Sequence, residues 1–270
     1  MWCRIPKRVN LDHAKEGGMQ ITIAAKTIPI RFYPDLTMTL LHITVSLFPR
    51  QVFRLWLPEG CGANGVALYN QAKEGPQAWS VEDGGATWTC RAFDTENAAL
   101  TSWACIREDH LELQYQLHNK SDETWDRVGL GTCYQMAAAE DFRDPEGERT
   151  YAWADGRLAN IAKDGIPAEC HEHHHPTLRY GMSMPDRDHG HAVIAVEARN
   201  GGATAMAWES HSEYSGNTDP GVNCIHGGAD AWQVQPGQSV TLRGWLGWSA
   251  GPVAALCERA LEAVSRDEGG

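Results

Sequence analysis

Residues 110–118 alternate without a break. Leu111, Leu113, Tyr115 and Leu117 fall on one side of a period of two, and Glu112, Gln114, Gln116 and His118 on the other. Successive side chains of an extended chain point to opposite faces, so this pattern predicts a strand with one face in a core. Asn119-Lys120-Ser121-Asp122 then carries turn chemistry, and residues 125–136 resume an extended pattern. Residues 36–48 are rich in Thr, Ile, Val and Leu, which suits strands. A short extended piece, 52–57, lies between Pro49 and Pro58. Two apolar runs, 192–198 and 203–209, flank Arg199-Asn200-Gly201-Gly202 and read as a hairpin. Pro236-Gly237-Gln238 is a further turn leading into 239–248. Strand-sized pieces separated by turns predict an antiparallel all-β architecture. One helix is expected over 253–264, with Pro252 in its first turn and Ala255, Leu256, Ala260, Leu261 and Val264 at helical spacing.

The chain has 270 residues, 42% of them hydrophobic, which is enough for a substantial core. Without a repeat, linker or low-complexity tract, the expectation is a single domain over 1–270. Residues 1–19 and 265–270 are expected to be peripheral or frayed. Lys and Arg total 23 and Asp and Glu 35, a net charge of −12 with no basic patch. That excludes a nucleic-acid backbone binder. No window approaches the roughly 20 apolar residues of a membrane span, and no membrane partner is expected. The first residues lack the apolar stretch of a secretory signal, so a cytoplasmic protein is expected, with secretion after signal removal as the alternative. The eight Cys, at 3, 61, 90, 105, 133, 170, 224 and 257, form no C-x-x-C pair. Reduced, mostly buried thiols are therefore expected rather than a redox motif or zinc ribbon.

The segment Leu111-Glu112-Leu113-Gln114-Tyr115-Gln116-Leu117-His118-Asn119-Lys120-Ser121-Asp122-Glu123-Thr124-Trp125 resembles the galactose mutarotase-like superfamily. There a strand of this type ends in Asn-x-Ser-Asp before a second strand. Trp232-Gln233-Val234-Gln235-Pro236-Gly237-Gln238-Ser239-Val240-Thr241 is similar to that superfamily's late Pro-Gly turn. The resemblance covers roughly residues 80–136 and 230–250. It implies a large antiparallel β-sandwich and, often, a carbohydrate ligand; it does not name a reaction. Where aldose 1-epimerases carry His-Pro-Tyr-Phe, this chain has Gly131-Thr132-Cys133-Tyr134-Gln135. Tyr134 corresponds to the family's tyrosine, and no histidine acid carries over to this position.

Of the 12 His, seven lie between positions 171 and 211, and the densest run is Cys170-His171-Glu172-His173-His174-His175-Pro176. On a strand, His173 and His175 share a face and suit a divalent metal such as zinc, with a third ligand from elsewhere. Glu209 is the candidate third ligand. Glu209, His211 and Glu213 also alternate, and carboxylate plus imidazole supplies acid–base chemistry near neutral pH. Cys224 and His226 form an i, i+2 pair between glycines, a pattern more often a buried Cys with a hydrogen-bonded His than a nucleophile. The candidate catalytic residues are thus Glu209, His211 and His226. Most of the 11 Trp are expected between sheets. Trp153 and Trp208 are the candidates for a flat face against a sugar, with Arg179 and Asn217 as further substrate contacts. Arg143, Arg149 and Arg179 are forks that suit a sugar carboxylate.

These features predict a carbohydrate-active enzyme, a lyase or an isomerase/epimerase, that requires no nucleotide cofactor. The alternatives are a non-catalytic sugar-binding module and a cupin-like metal enzyme acting on a non-sugar substrate.

Overall fold

A computed structural model describes residues 18–30, 33–70, 75–154, 157–164, 179–183, 192–210, 213–217 and 221–265. In chain order the strands are β1 (Ile21–Ile30), β2 (Tyr33–Val45), β3 (Phe53–Ala63), β4 (Val66–Asn70), β5 (Ser80–Glu82) and β6 (Thr87–Asp94). They continue with β7 (Ala98–Ile106), β8 (His110–Asn119), β9 (Trp125–Gln135), β10 (Thr150–Ala154), β11 (Arg157–Asn160) and β12 (Arg179–Ser183). The last are β13 (Ala192–Glu197), β14 (Ala203–Trp208), β15 (Glu213–Asn217), β16 (Cys224–Val234) and β17 (Ser239–Ser249), followed by the helix α1 (Val253–Ser265). They build two antiparallel sheets. An eight-stranded sheet runs β1-β2-β3-β9-β16-β15-β12, with β4 paired to β3. A nine-stranded sheet runs β11-β10-β13-β14-β17-β8-β7-β6-β5.

The alternation in 110–118 is realised in β8, whose Leu111, Leu113, Tyr115 and Leu117 are all buried. They meet Leu41, Ile43, Phe53, Leu55, Val128 and Leu130 of the eight-stranded sheet in one core between the sheets. The architecture is therefore the expected large antiparallel sandwich with a short C-terminal helix. Aromatic side chains knit the layers. Phe53 lies 5.7 Å from Tyr134 and 5.8 Å from Trp248, ring centre to ring centre. Trp248 Nε1 donates to Tyr134 Oη at 3.1 Å, satisfying a polar atom that burial would otherwise leave unpaired.

β14 is buried on both faces. Thr204, Met206 and Trp208 point to the core, whereas Ala203, Ala205 and Ala207 pack outward under α1 against Leu256, Cys257 and Ala260. Small side chains on that face let the helix lie close to the sheet. β3 runs further than its sequence predicts. Pro58, with no N–H to give the ladder, marks the expected end, yet the strand continues to Ala63 across a register irregularity between Trp56 and Gly60. A bulge accommodates the missing donor.

The two segments that carry the superfamily resemblance meet in space at Asn119. Its backbone N–H donates to Gln238 O (2.9 Å), and its carbonyl accepts from Gly237 N (2.8 Å). Its side-chain amide donates to Val234 O (3.0 Å) and Glu123 O (2.9 Å), and its Oδ1 accepts from Ser121. The Asn-x-Ser-Asp turn and the Pro-Gly turn are thus one hydrogen-bonded corner.

The six described cysteines are free thiols, five of them buried. Burial pushes the thiols of Cys61, Cys90 and Cys257 up to about 12, so these three stay protonated and unreactive at neutral pH. Among the described residues no helix is long and apolar enough to cross a membrane.

Candidate active site

The outer face of the eight-stranded sheet carries an uncommon density of polar and glycine residues. Strand register aligns them in rows. His42, Arg54, Gln135, Cys224, Asn217 and Arg179 are successive partners across β2, β3, β9, β16, β15 and β12. The next row holds Trp56, Cys133, His226 and Ser215. Beyond it, the glycines Gly60, Gly131 and Gly228 stand side by side.

A cavity of about 280 Å³ opens over Gly131 and Gly228. Gly129, Gly131 and Gly228 line its floor, and Glu59, Arg127, Ser215, His226 and Asp230 supply its polar groups. At Gly228 a Cβ would stand 1.9 Å from the Leu130 carbonyl oxygen, so close strand approach demands glycine there. Glu59 follows Pro58 in the irregular part of β3. It thereby joins the cavity rather than the regular ladder.

His226 is oriented from several sides. Its Nδ1 is 3.1 Å from Ser215 Oγ, the residue opposite it in the ladder. Its Nε2 is 3.2 Å from Cys224 Sγ and 3.8 Å from Glu59 Oε2. His226 and Glu59 are both partly exposed to the cavity. Asp230 is buried and is approached by Arg127 Nη2 at 3.3 Å. Cys133 and Cys224 are buried behind His226. Burial first, and then the neighbouring Cys224, push the Cys133 thiol well above its ordinary range. Gln135 Nε2 donates to Cys133 Sγ at 3.6 Å.

Of the residues singled out in the sequence, His226 lies in this cavity. Asn217 stands nearby as a buried residue opposite Cys224, and Arg179 pairs with Asn217 along the backbone. Other residues fall elsewhere. Trp208 is fully buried, stacked on Tyr115 with ring centres 4.8 Å apart, and its ring lies over Gly244. A core position leaves no face for a sugar, so the substrate-contact expectation for Trp208 is corrected. Trp153 packs against the cluster beneath α1 on the nine-stranded sheet, away from the cavity wall. Glu209 closes the end of β14: its backbone N–H donates to Arg243 O (3.0 Å), and its Oε1 accepts from Arg243 N (2.8 Å). It is not among the residues lining the cavity, so it does not join His226 there. Arg143 donates to the Ala137 carbonyl, and Arg149 to the carbonyls of Asp141, Arg143 and Glu197, so both brace loops. Tyr134 is in the core, with its hydroxyl 2.9 Å from Thr204 Oγ1. His173, His175 and His211 lie outside the described residues.

Sequence reasoning missed Glu59, Arg127, Asp230 and Cys133. One signal was present for Asp230, a lone carboxylate inside the small and apolar run Gly227-Gly228-Ala229-Asp230-Ala231. Glu59 carried none, because its neighbour in space is remote in sequence.

No protein-family model matches the chain, and no curated protein matches it. Solved structures do. The Slr1438 protein of Synechocystis sp. PCC 6803 is 12% identical over 84% of this chain and 96% of that one, with a TM-score of 0.50. That likeness shows a shared fold. The shared fold is a large antiparallel β-sandwich. A galactose mutarotase related enzyme from Lactobacillus acidophilus is 10% identical, covering 84% of this chain and 98% of that one at a TM-score of 0.47. A galactose mutarotase-like protein from Clostridium acetobutylicum is also 10% identical, covering 85% and 99% at 0.46. In this sandwich the glycine-floored cavity belongs to the outer face of the eight-stranded sheet, and α1 covers the opposite sheet.

Proposed function

We propose that the chain is a carbohydrate-active enzyme of the isomerase or epimerase class that interconverts the anomers of a monosaccharide in this cavity. The observation that carries the reading is the approach of His226 Nε2 and Glu59 Oε2 to 3.8 Å beside a floor of glycines. Anomer exchange needs a proton to leave the anomeric hydroxyl and another to reach the ring oxygen. The ring opens, the carbonyl turns, and both transfers reverse on closure. A carboxylate and an imidazole facing one space supply both directions. Glu59 takes the hydroxyl proton, and His226 delivers one to the ring oxygen. Ser215 holds the imidazole through Nδ1, which leaves Nε2 between Cys224 Sγ and the Glu59 carboxylate at the cavity.

The surroundings fit the same substrate. A volume of about 280 Å³ is near the lower end of ligand pockets, roughly 300–1,000 Å³, as suits one sugar ring. The glycine floor lets a ring approach the backbone without side-chain obstruction. Arg127 and Asp230 offer a donor and an acceptor for its hydroxyls. A binding module would present an aromatic platform without a convergent proton-transfer pair. The superfamily resemblance of 111–125 and 232–241 agrees with a sugar ligand.

Exchange NMR on a panel of neutral and acidic aldoses tests the reading. The protein is expected to accelerate anomer exchange for at least one sugar. Glu59→Gln and His226→Asn are each expected to lower kcat by about 10²–10⁴ while circular dichroism stays unchanged. No acceleration with any aldose, or full activity in both variants, overturns it.

A further inference from the structure

Three ligand-bearing atoms converge where β9 and β16 pair. The sulfurs of Cys133 and Cys224 and a ring nitrogen of His226 all lie within 4.8 Å of one another. We propose that Cys133, Cys224 and His226 form a binding site for a thiophilic divalent cation of the zinc class, with Glu59 closing the fourth position.

Ideal tetrahedral zinc spaces such ligand atoms roughly 3.5–3.8 Å apart. The observed 3.2 Å between Cys224 Sγ and His226 Nε2 and 3.8 Å between Nε2 and Glu59 Oε2 are close to that spacing. The second ring nitrogen of His226 is engaged by Ser215 Oγ. Metal-binding imidazoles commonly use such a partner to turn the other nitrogen's lone pair toward the ion. The Gln135 amide aimed at Cys133 Sγ supports a thiolate in the same way. Charge agrees too. Two thiolates neutralise a divalent ion, which removes the objection to ionising sulfurs in a buried site. Both sulfurs are buried while Glu59 and His226 reach the cavity, so the ion would enter from the cavity side.

A disulfide explains the pair less well. Cys133 stands opposite His226 and Cys224 opposite Gln135, so the cysteines are diagonal neighbours. Diagonal positions lie about 7–8 Å apart, beyond the roughly 4.4–6.8 Å between α-carbons that disulfides span.

The site rests on this geometry and shares His226 and Glu59 with the proton pair proposed above. A bound ion takes the Nε2 lone pair. If that reading holds, zinc therefore inhibits anomer exchange.

Cobalt(II) titration of the reduced full-length protein tests the site without reference to activity. A thiolate-to-cobalt charge-transfer absorption saturating at about one equivalent, and displaced by zinc, is expected. Cys133→Ser and Cys224→Ser should each abolish most of it. His226→Asn, which keeps both thiols, should weaken cobalt affinity at least tenfold. Cys170→Ser, beside the His-rich run, and Cys90→Ser, on β6, should leave the absorption intact. Its absence in the wild type, its survival in Cys224→Ser, or its loss in Cys170→Ser overturns the proposal. If the serine variants fail to fold, undiminished cobalt affinity in His226→Asn overturns it. Failure of anomer exchange with every aldose sinks the enzymatic reading alone and leaves the cobalt spectrum to decide this one.

Discussion

Asn119 shows how much one side chain can organise. Its amide ties the end of β8 to the end of β16 by a bond to Val234 O and to the turn that follows β8 by a bond to Glu123 O. Asn119→Ala would strand two carbonyls and release the Ser121 turn. A loss of about 2–4 kcal/mol in urea unfolding is expected, without a change in the cavity residues. His42 makes a second case. Burial, then the charges of Arg54 and Lys26, hold its pKa down to about 4, and its Nε2 is buried without a hydrogen-bond partner among the described residues. The unfolded chain binds this proton near pH 6.5 and the folded chain only near 4. Stability is therefore complete above about 6.5 and declines as pH falls toward 4. Solvent screening of the partly exposed ring limits the effect to about 1 kcal/mol. Unfolding midpoints measured over that window should fall less in His42→Gln than in the wild type. Residues such as Leu111 and Tyr115 were legible because their burial follows from neighbours two positions away. Glu59 was not, because only the folded sheet brings it to His226.

Among the elements, β14 and α1 depend on each other. The alternate alanines of β14 are a local signal of a strand, but the helix they accommodate is an element brought up against it by the fold. Ala205→Leu inserts bulk where α1 packs, and overpacking of this kind costs about 1–3 kcal/mol. A lowered melting temperature is expected, with anomer exchange retained at lower temperature, since the cavity belongs to the other sheet. β8, β13, β14, β17 and α1 were legible from periodicity and turn residues. The continuation of β3 past Pro58 was not, because a bulge depends on its partner strands, and that same irregularity brings Glu59 into the site.

Over the whole molecule, the sandwich was legible and the position of the site was not. Alternation and turn chemistry are local, so they specify strands and, through them, a two-layer class. The site is a property of register across four strands, which sets His226 beside Cys133 and Ser215. The Trp excess largely served packing, with Trp125, Trp208 and Trp248 in the core and Trp245 beneath the helix. Among the described residues, Trp232 is the Trp that stands exposed. The central claim is that the outer face of the eight-stranded sheet holds the sugar. A crystal structure of the protein with an aldose that it converts or binds tests this most directly. The expected result is one ring over Gly129, Gly131 and Gly228, with hydroxyls within hydrogen-bond reach of Glu59 and His226. A sugar bound instead at Trp153 on the nine-stranded sheet, with this cavity empty, would contradict the claim.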